Sequence, residues 1–375
     1  MKFDVRSLKV ALVHDYLNQY GGAERVLESL HRLFPQAPVY TLLYQPENLP
    51  DRFHGWDIRP SYLNRLPGHR THYQMMLPLF PGAVEGFDLN GYDIVISSSN
   101  AWAKGVITSV RTFHLCYIHT PMRFAWDWYH QIPREHDRAT NLMLLPMLSL
   151  VRQWDVLSSL RPDSYVANSV EVQRRLKKYY KVDSEVIYPS VDTEYFCPAS
   201  DMSAGDYYLM VARLKPYKRV ELAIEAFNRN RQSLIIVGQG SEYRRLKKMA
   251  GPNIKFAGWV TDQELREYYR NSRALIFTAL EDFGIAPVEA QSCGRPVIAF
   301  GQGGCLETVK AGYTGILFRE QTAESLLQAI DEFQKWDYHP EKIRAHALKF
   351  GHHLFDQKLM QCLEREYSLF KQRGF

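Results

Sequence analysis

The chain has 375 residues, 46% of them hydrophobic, more than a single core of ordinary size takes up, so two domains are expected. Its 46 basic and 41 acidic residues leave a net charge of +5 with an isoelectric point near 8.8, far from the strongly basic balance of a dedicated nucleic-acid binder but compatible with an anionic ligand or membrane surface. Five cysteines, Cys116, Cys197, Cys293, Cys305 and Cys362, are scattered without a CxxC pair, which speaks against a disulfide or zinc framework and reads as reduced thiols in a cytosolic protein.

The N-terminal stretch MKFDVRSLKVALVHDY lacks the long apolar core and small-residue cleavage site of a signal peptide. From there, short apolar runs alternate with amphipathic helical patterns. KVALVH, PVYTLLY, DIVISSS, HLCYIHT and SYVANS read as buried strands, while GGAERVLESLHRLF and SVEVQRRLKKYY read as helices. The most apolar segment, LMLLPMLSLV from Leu142 to Val151, is only about half the roughly 20 residues that span a bilayer and is interrupted by Pro146, so no transmembrane helix is expected. Prolines, serines and acids replace periodic pattern from Tyr188 to Asp206 and mark a boundary. Beyond it, YYLMVAR, SLIIVG, ALIFTA and PVIAFG are strand-like, separated by helical VELAIEAFNRN, SEYRRLKKMA, TDQELREYYRNS and IAPVEAQSC. Apolar runs covered on both faces imply parallel sheets, hence an α/β chain of two Rossmann-like, doubly wound domains. The expected division is residues 1–190, residues 191–355, and a helix over 356–375 that packs back across the interdomain seam.

Four motifs bear chemistry. In VALVHDYLNQYGGAERV, Gly21 and Gly22 open a helix after a strand: either a phosphate seat, where the backbone comes close and free N–H groups point outward, or merely a tight turn. VGQGSEYRRL resembles a dinucleotide fingerprint, but Tyr243 stands where its third glycine belongs, so a dehydrogenase has little support. In VARLKPYKRVELAIEAF, Arg213 and Lys218 can converge on the C-terminal edge of the second sheet, where doubly wound folds bind ligands. In ALEDFGIAPVEA, Pro287 lies near a first helical turn, and the N–H groups from Phe283 to Ala286 offer an anion seat at the same edge.

GGAER, YIHTPMRFAWD, VARLKPYKRVELAIEAF and above all Glu281 and Glu289 within EDFGIAPVE resemble the retaining GT-B glycosyltransferases of family 4, also described as glycosyl transferases group 1. The resemblance runs in order over essentially the whole chain. It implies two facing Rossmann-like domains with a cleft between them, a nucleotide sugar held mainly by the second domain and an acceptor by the first. Glu289 would accept from the ribose hydroxyls and Glu281 would hold hydroxyls of the donor sugar, since carboxylates accept several hydrogen bonds and donate none. Arg213 and Lys218 would clamp the diphosphate, joined by backbone N–H groups of Gly22, Phe283, Gly284 and Ile285, with Gly21 beside them. Main-chain groups near Trp259 and Val260 in FAGWVTD would line the base, and His119 would lie near the reacting face of the sugar or, on the bland reading, cap a strand end.

No Asp-x-Asp sequence occurs, so no metal cofactor is expected, and the leaving diphosphate would be neutralised by Arg213, Lys218 and helix N-termini. The resemblance implies retention of anomeric configuration by front-face attack, without Glu281 as a nucleophile. UDP-glucose or a similar UDP-hexose is the favoured donor and GDP-mannose the runner-up. Arg123, Trp126, Asp127 and Trp128 offer either aromatic and polar contacts to a saccharide acceptor or an aromatic-rich core loop. LMLLPMLSLV with the later RRLKKYYK forms either a packed helix with a solvated face or a surface that touches a membrane carrying a lipid-linked acceptor. The expected protein is thus a cytoplasmic hexosyltransferase of polysaccharide biosynthesis, peripheral at the inner membrane face where it meets lipid, and without nucleic-acid partners. An epimerase or phosphorylase and a non-catalytic sugar-nucleotide sensor are the alternatives.

Overall fold

The computed structural model describes residues 5–70, 73–130, 138–200 and 205–374. The end of HTPMRFAWDWYHQIP and residues 201–204 of the boundary segment lie outside them. The chain divides into two units, Met1–Tyr188 with Phe355–Phe375, and Pro189–Leu354.

The first unit is built on seven strands: β1 (Val10–Leu17), β2 (Val39–Tyr44), β3 (Ile58–Pro60), β4 (Ile94–Ser99), β5 (Phe113–Ile118), β6 (Ser164–Ala167) and β7 (Glu185–Val186). They pair in the order β3-β2-β1-β4-β5-β6-β7, every pair parallel. The strand sequences are continuous apolar runs because both faces are covered. Val10 and Leu12 pack with Val26, Leu27 and Leu30 of the helix Gly22–Leu33 on one face, while Ala11 and Val13 pack with Trp102 and Val151 on the other. Phe355, Leu359, Leu363, Tyr367 and Phe370 of the C-terminal helix His352–Gln372 join the first of these clusters.

The second unit has six strands: β8 (Tyr207–Val211), β9 (Ser233–Val237), β10 (Ile254–Gly258), β11 (Ser272–Phe277), β12 (Val297–Phe300) and β13 (Gly315–Phe318). Their order is β10-β9-β8-β11-β12-β13, again all parallel. Met210, Ile236, Ile276 and Ile298 face one helical layer, and Leu209, Val237, Leu275 and Val297 face the other. In both sheets the chain winds one way from the central strand and then returns to wind the other way. The reversal falls between β1 and β4 in the first unit and between β8 and β11 in the second, where doubly wound sheets open a ligand crevice at their C-terminal edge.

Several elements go beyond the sequence reading. β3, β7, β10 and β13 are not among the strands read from the sequence, and β3 and β7, at three and two residues, are too short to show a period. The apolar run at 142–151 lies inside a 21-residue helix, Arg138–Ser158, which passes through Pro146 instead of being interrupted by it. Among the described residues no helix is long and apolar enough to cross a membrane. All five cysteines are free thiols.

Candidate functional site

At the C-terminal edge of the second sheet, the chain leaving β8 is anchored by buried Leu214 and then makes a short turn, Pro216–Lys218. Arg219 follows at φ 54°, a left-handed conformation that a residue with a Cβ adopts at some cost, and the helix Val220–Asn230 starts directly after it. This turn carries Lys218 back over the sheet, where its Nζ forms an ion pair with Oε1 of Glu281, which follows β11. The side chains are 15% and 22% exposed, so solvent screens the pair only in part. Thr278, wholly buried, donates through Oγ1 to the carbonyls of Lys218 at 2.8 Å and Arg219 at 3.1 Å. It thereby fastens together the two segments that leave the reversal point. Arg213 is exposed at the same edge.

Gly284, at φ 90°, turns the chain into the helix Ile285–Ser292, whose first turn, with its free N–H groups, begins four residues after Glu281. Phe283 is buried edge-on against Phe350 at 5.6 Å between centroids, which fixes the entry to that helix. Glu289 is only 3% exposed and accepts a hydrogen bond from the hydroxyl of Tyr269 at 2.8 Å. The loop after β12 closes the arrangement from another side. Gly304 donates its N–H to the carbonyl of Glu281 at 2.9 Å, and a Cβ on Gly304 would stand 2.3 Å from the carbonyl oxygen of Asp282. Burial, with Glu281 adding to it, pushes the neighbouring Cys305 thiol far above its ordinary value, so that cysteine is inert. Trp259 is 71% exposed just beyond β10, and Val260 is half-buried. β10 lies two strand spacings from β8, about 10 Å along the same edge. The glycines of VGQGSE have a packing role: a Cβ on Gly238 or Gly240 would collide with the carbonyls of Ala212 and Leu214 at 2.0 and 2.2 Å.

At the C-terminal edge of the first sheet, Gly21 is extended at φ −164° and precedes the helix Gly22–Leu33. A Cβ there would approach Glu24 Oε2 at 3.3 Å. Glu24 is itself buried in the first turn, where a carboxylate interacts favourably with the helix dipole. His119 is the first residue after β5. Burial pushes its imidazole down to about 3, with His14 adding to the effect, so the ring is neutral at pH 7. Its Nε2 lies 2.8 Å from Ser98 Oγ. Asp15, 1% exposed, accepts the N–H groups of Ala101, Trp102 and Ala103 at 2.8, 2.8 and 2.6 Å, and also that of Asn100. It holds the loop after β4 like a bound anion.

Arg123, Trp126 and Asp127 are engaged within the unit. The Trp126 indole donates to Asp155 at 2.7 Å and stacks on Tyr179 at 4.6 Å, while Asp127 accepts from Tyr179 at 2.6 Å and pairs with Arg175 at 3.4 Å. Arg123 lies over the Trp128 ring and 3.7 Å from Asp127. The sequence reading passed over Tyr269, Thr278, Gly303 and Gly304, and in the first unit over His14, Asp15, Glu24 and Ser98. Of these, only GQGG, a glycine cluster directly after a strand, carries a readable signal.

Residues 203–350 match the family described as glycosyl transferases group 1, and residues 20–195 match glycosyltransferase family 4. The D-inositol 3-phosphate glycosyltransferase of Streptomyces bingchenggensis is 30% identical over a stretch covering 41% of this chain and 41% of that protein. The chain spans about half the length of the curated relatives it matches. Among solved structures, Anabaena Alr3699/HepE in complex with UDP aligns with a TM-score of 0.71 at 19% identity, covering 96% of this chain and 100% of that one. The same protein in complex with UDP-glucose aligns at 0.70 and 20% identity, with the same coverage. Sucrose-phosphate synthase from Thermosynechococcus elongatus aligns at 0.72 and 18% identity, covering 96% and 100%. These structural likenesses establish the fold.

Proposed function

Since the chain belongs to the family-4, group 1 glycosyltransferases with the GT-B fold, we propose that it transfers a hexose from a nucleotide diphosphate sugar, with UDP-glucose or a related UDP-hexose as donor. The observation that carries this reading is the Lys218–Glu281 pair at the reversal point of the second sheet, with Glu281 four residues before the helix Ile285–Ser292. Cations and helix N–H groups suit a diphosphate, and carboxylates suit sugar hydroxyls; here both stand at one edge. We assign the diphosphate to Arg213, Lys218 and the N–H groups of Phe283, Gly284 and Ile285. We assign sugar hydroxyls to Glu281, ribose hydroxyls to Glu289, and the base to the loop of Trp259 and Val260. UDP is favoured because the Anabaena neighbour is solved with UDP and with UDP-glucose.

The chemistry needs charge on the leaving phosphate to be stabilised, and Arg213 and Lys218 supply fixed positive charge without a metal. Retention of anomeric configuration belongs to the same proposal. The acceptor is a glycan or lipid-linked saccharide, held by the first unit at its own sheet edge, on the cytoplasmic side where nucleotide sugars occur. A lipid surface suits the outer stripe of the helix Arg138–Ser158: Leu142, Leu150 and Leu157, 77%, 65% and 63% exposed, line up over about 22 Å, and its acid Asp155 is buried away from that stripe.

Thermal denaturation with UDP- and GDP-hexoses tests the donor, because a ligand that binds only the folded protein raises its midpoint. A shift with UDP-glucose and none with GDP-mannose is expected. A shift with GDP-mannose alone would replace the donor. Donor binding with neither transfer nor slow hydrolysis would leave a sensor.

A further inference from the structure

Parallel pairing of β1 with β4 sets His14 directly beside Ser98, and pairing of β4 with β5 brings His119 to the same edge. Three contacts link them to the first turn of the helix Gly22–Leu33. His119 Nε2 lies 2.8 Å from Ser98 Oγ, Ser98 Oγ lies 3.1 Å from His14 Nδ1, and His14 Nε2 lies 3.5 Å from Glu24 Oε1. All four residues are at most 6% exposed.

The direction of the protons follows from what each group can do. Glu24 Oε1, 3.5 Å from His14 Nε2, belongs to a carboxylate that can only accept, which favours a proton on that nitrogen. With its proton placed on Nε2, His14 offers a bare Nδ1 to the single hydroxyl proton of Ser98. With its proton spent, Ser98 Oγ can only accept from His119, so His119 carries its proton on Nε2. Among the described residues, its Nδ1 has no hydrogen-bond partner.

We propose that Glu24, His14 and Ser98 are positioning residues that hold His119 in its Nε2–H tautomer and present its Nδ1 as a fixed hydrogen-bond acceptor for a sugar hydroxyl. The tautomer assignment stands on the first unit alone. The sugar as partner rests on the glycosyltransferase reading. A histidine fixed in this way is a more selective contact than a freely turning one, because only a donor group satisfies it.

The test is a two-bond proton–nitrogen correlation spectrum of the full-length protein carrying ring-labelled histidine, with His119 identified by its absence in His119→Gln. The wild type is expected to show His119 protonated on Nε2, and Ser98→Thr to keep that pattern. Ser98→Ala and Glu24→Gln should move the two ring nitrogens toward a tautomer mixture. Turnover should fall about tenfold in Ser98→Ala, the scale of one lost hydrogen bond, and be restored in Ser98→Thr, with binding of free UDP unchanged. A wild-type His119 protonated on Nδ1 would overturn the proposal outright, whatever the variants do. A correct tautomer with undiminished turnover in Ser98→Ala would overturn the positioning role. A correct tautomer in a protein that binds and transfers no nucleotide sugar would instead defeat the glycosyltransferase reading.

Discussion

Tyr269 donates its hydroxyl proton to Oε2 of Glu289 at 2.8 Å, and both side chains lie inside the second unit. A carboxylate in that setting is held in one orientation, as a group must be if it is to meet two vicinal hydroxyls. Glu289→Ala is expected to weaken binding of free UDP by about 1.5 to 3 kcal/mol, the range for charge-assisted hydrogen bonds. Tyr269→Phe, which keeps the ring and removes only the donor, should cost about 0.5 to 1.5 kcal/mol. Calorimetry on the two variants measures both, and an unchanged affinity in Glu289→Ala would remove Glu289 from the ribose.

Glu281 differs from Glu289 in what holds it. Its partner is a cation that the proposal also gives to the diphosphate, so Glu281→Ala frees Lys218 as well as removing an acceptor. UDP binding should therefore stay within about threefold of wild type, with transfer from UDP-glucose impaired. A loss of UDP affinity in Glu281→Ala matching that of Glu289→Ala would reverse the two assignments.

The layered fold was legible because buried parallel strands leave continuous apolar runs such as VALVHDYL and SRALIF, and because amphipathic helices such as Asp262–Arg270 carry a clear period. β3 and β7, at three and two residues, leave no such trace. Lys218 and Glu281 stood out because charge beside a strand end is unusual, and Glu289, on the helix Ile285–Ser292, because it shares the EDFGIAPVE motif with Glu281. Tyr269 and Thr278 did not, because a buried tyrosine and a strand-end threonine look like core until their hydrogen-bond partners are known. Trp126 is open to two readings in the sequence, a contact to a saccharide or part of an aromatic-rich core loop; its ring stacks on Tyr179 and its N–H donates to Asp155.

Asp155 is the centre of a closed polar cluster in the first unit. Lys104 Nζ reaches it at 2.5 Å and the carbonyl of Ala101 at 2.6 Å, while Tyr180 donates to it at 2.9 Å. Both ends of the ion pair are wholly buried. Asp155→Ala leaves an ammonium and two donors without their acceptor, and breaking such a pair costs about 3 to 5 kcal/mol. Hydrogen exchange at strands β4 and β5 should accelerate accordingly. Protection equal to wild type would show that the Lys104–Asp155 pair does not stabilise the first unit.

Turnover should depend on fixed cations and not on added metal. Charge on the leaving phosphate grows toward the transition state, so Arg213→Ala and Lys218→Ala should each lower turnover at saturating donor by about 10²- to 10³-fold, beyond any weakening of donor binding. Excess EDTA should leave the wild type nearly unaffected. Activity abolished by EDTA and restored by magnesium or manganese would overturn the mechanism, as would either variant turning over at the normal rate.

The last expectation concerns pH. His114 and His119 are both held down to about 3, in each case chiefly by burial, with Arg161 adding to the first and His14 to the second. In the unfolded chain a histidine takes up its proton near pH 6.5. Above that value both states are neutral and the full stability is present. As pH falls below 6.5 the unfolded state binds protons that the folded state refuses, and each histidine removes up to about 1.4 kcal/mol of stability per pH unit until its folded value is reached. The first unit should therefore lose protection steadily from pH 6.5 toward 4.5, read from exchange rates of β4 and β5 amides corrected for intrinsic chemistry. His114→Gln keeps a polar group that can reach Ser97, the present partner of Nε2 at 2.8 Å, but cannot titrate. Its slope should be shallower by the contribution of one proton. Equal slopes in the variant and the wild type would mean that His114 is already protonated in the folded state, and that its burial does not exclude the charge.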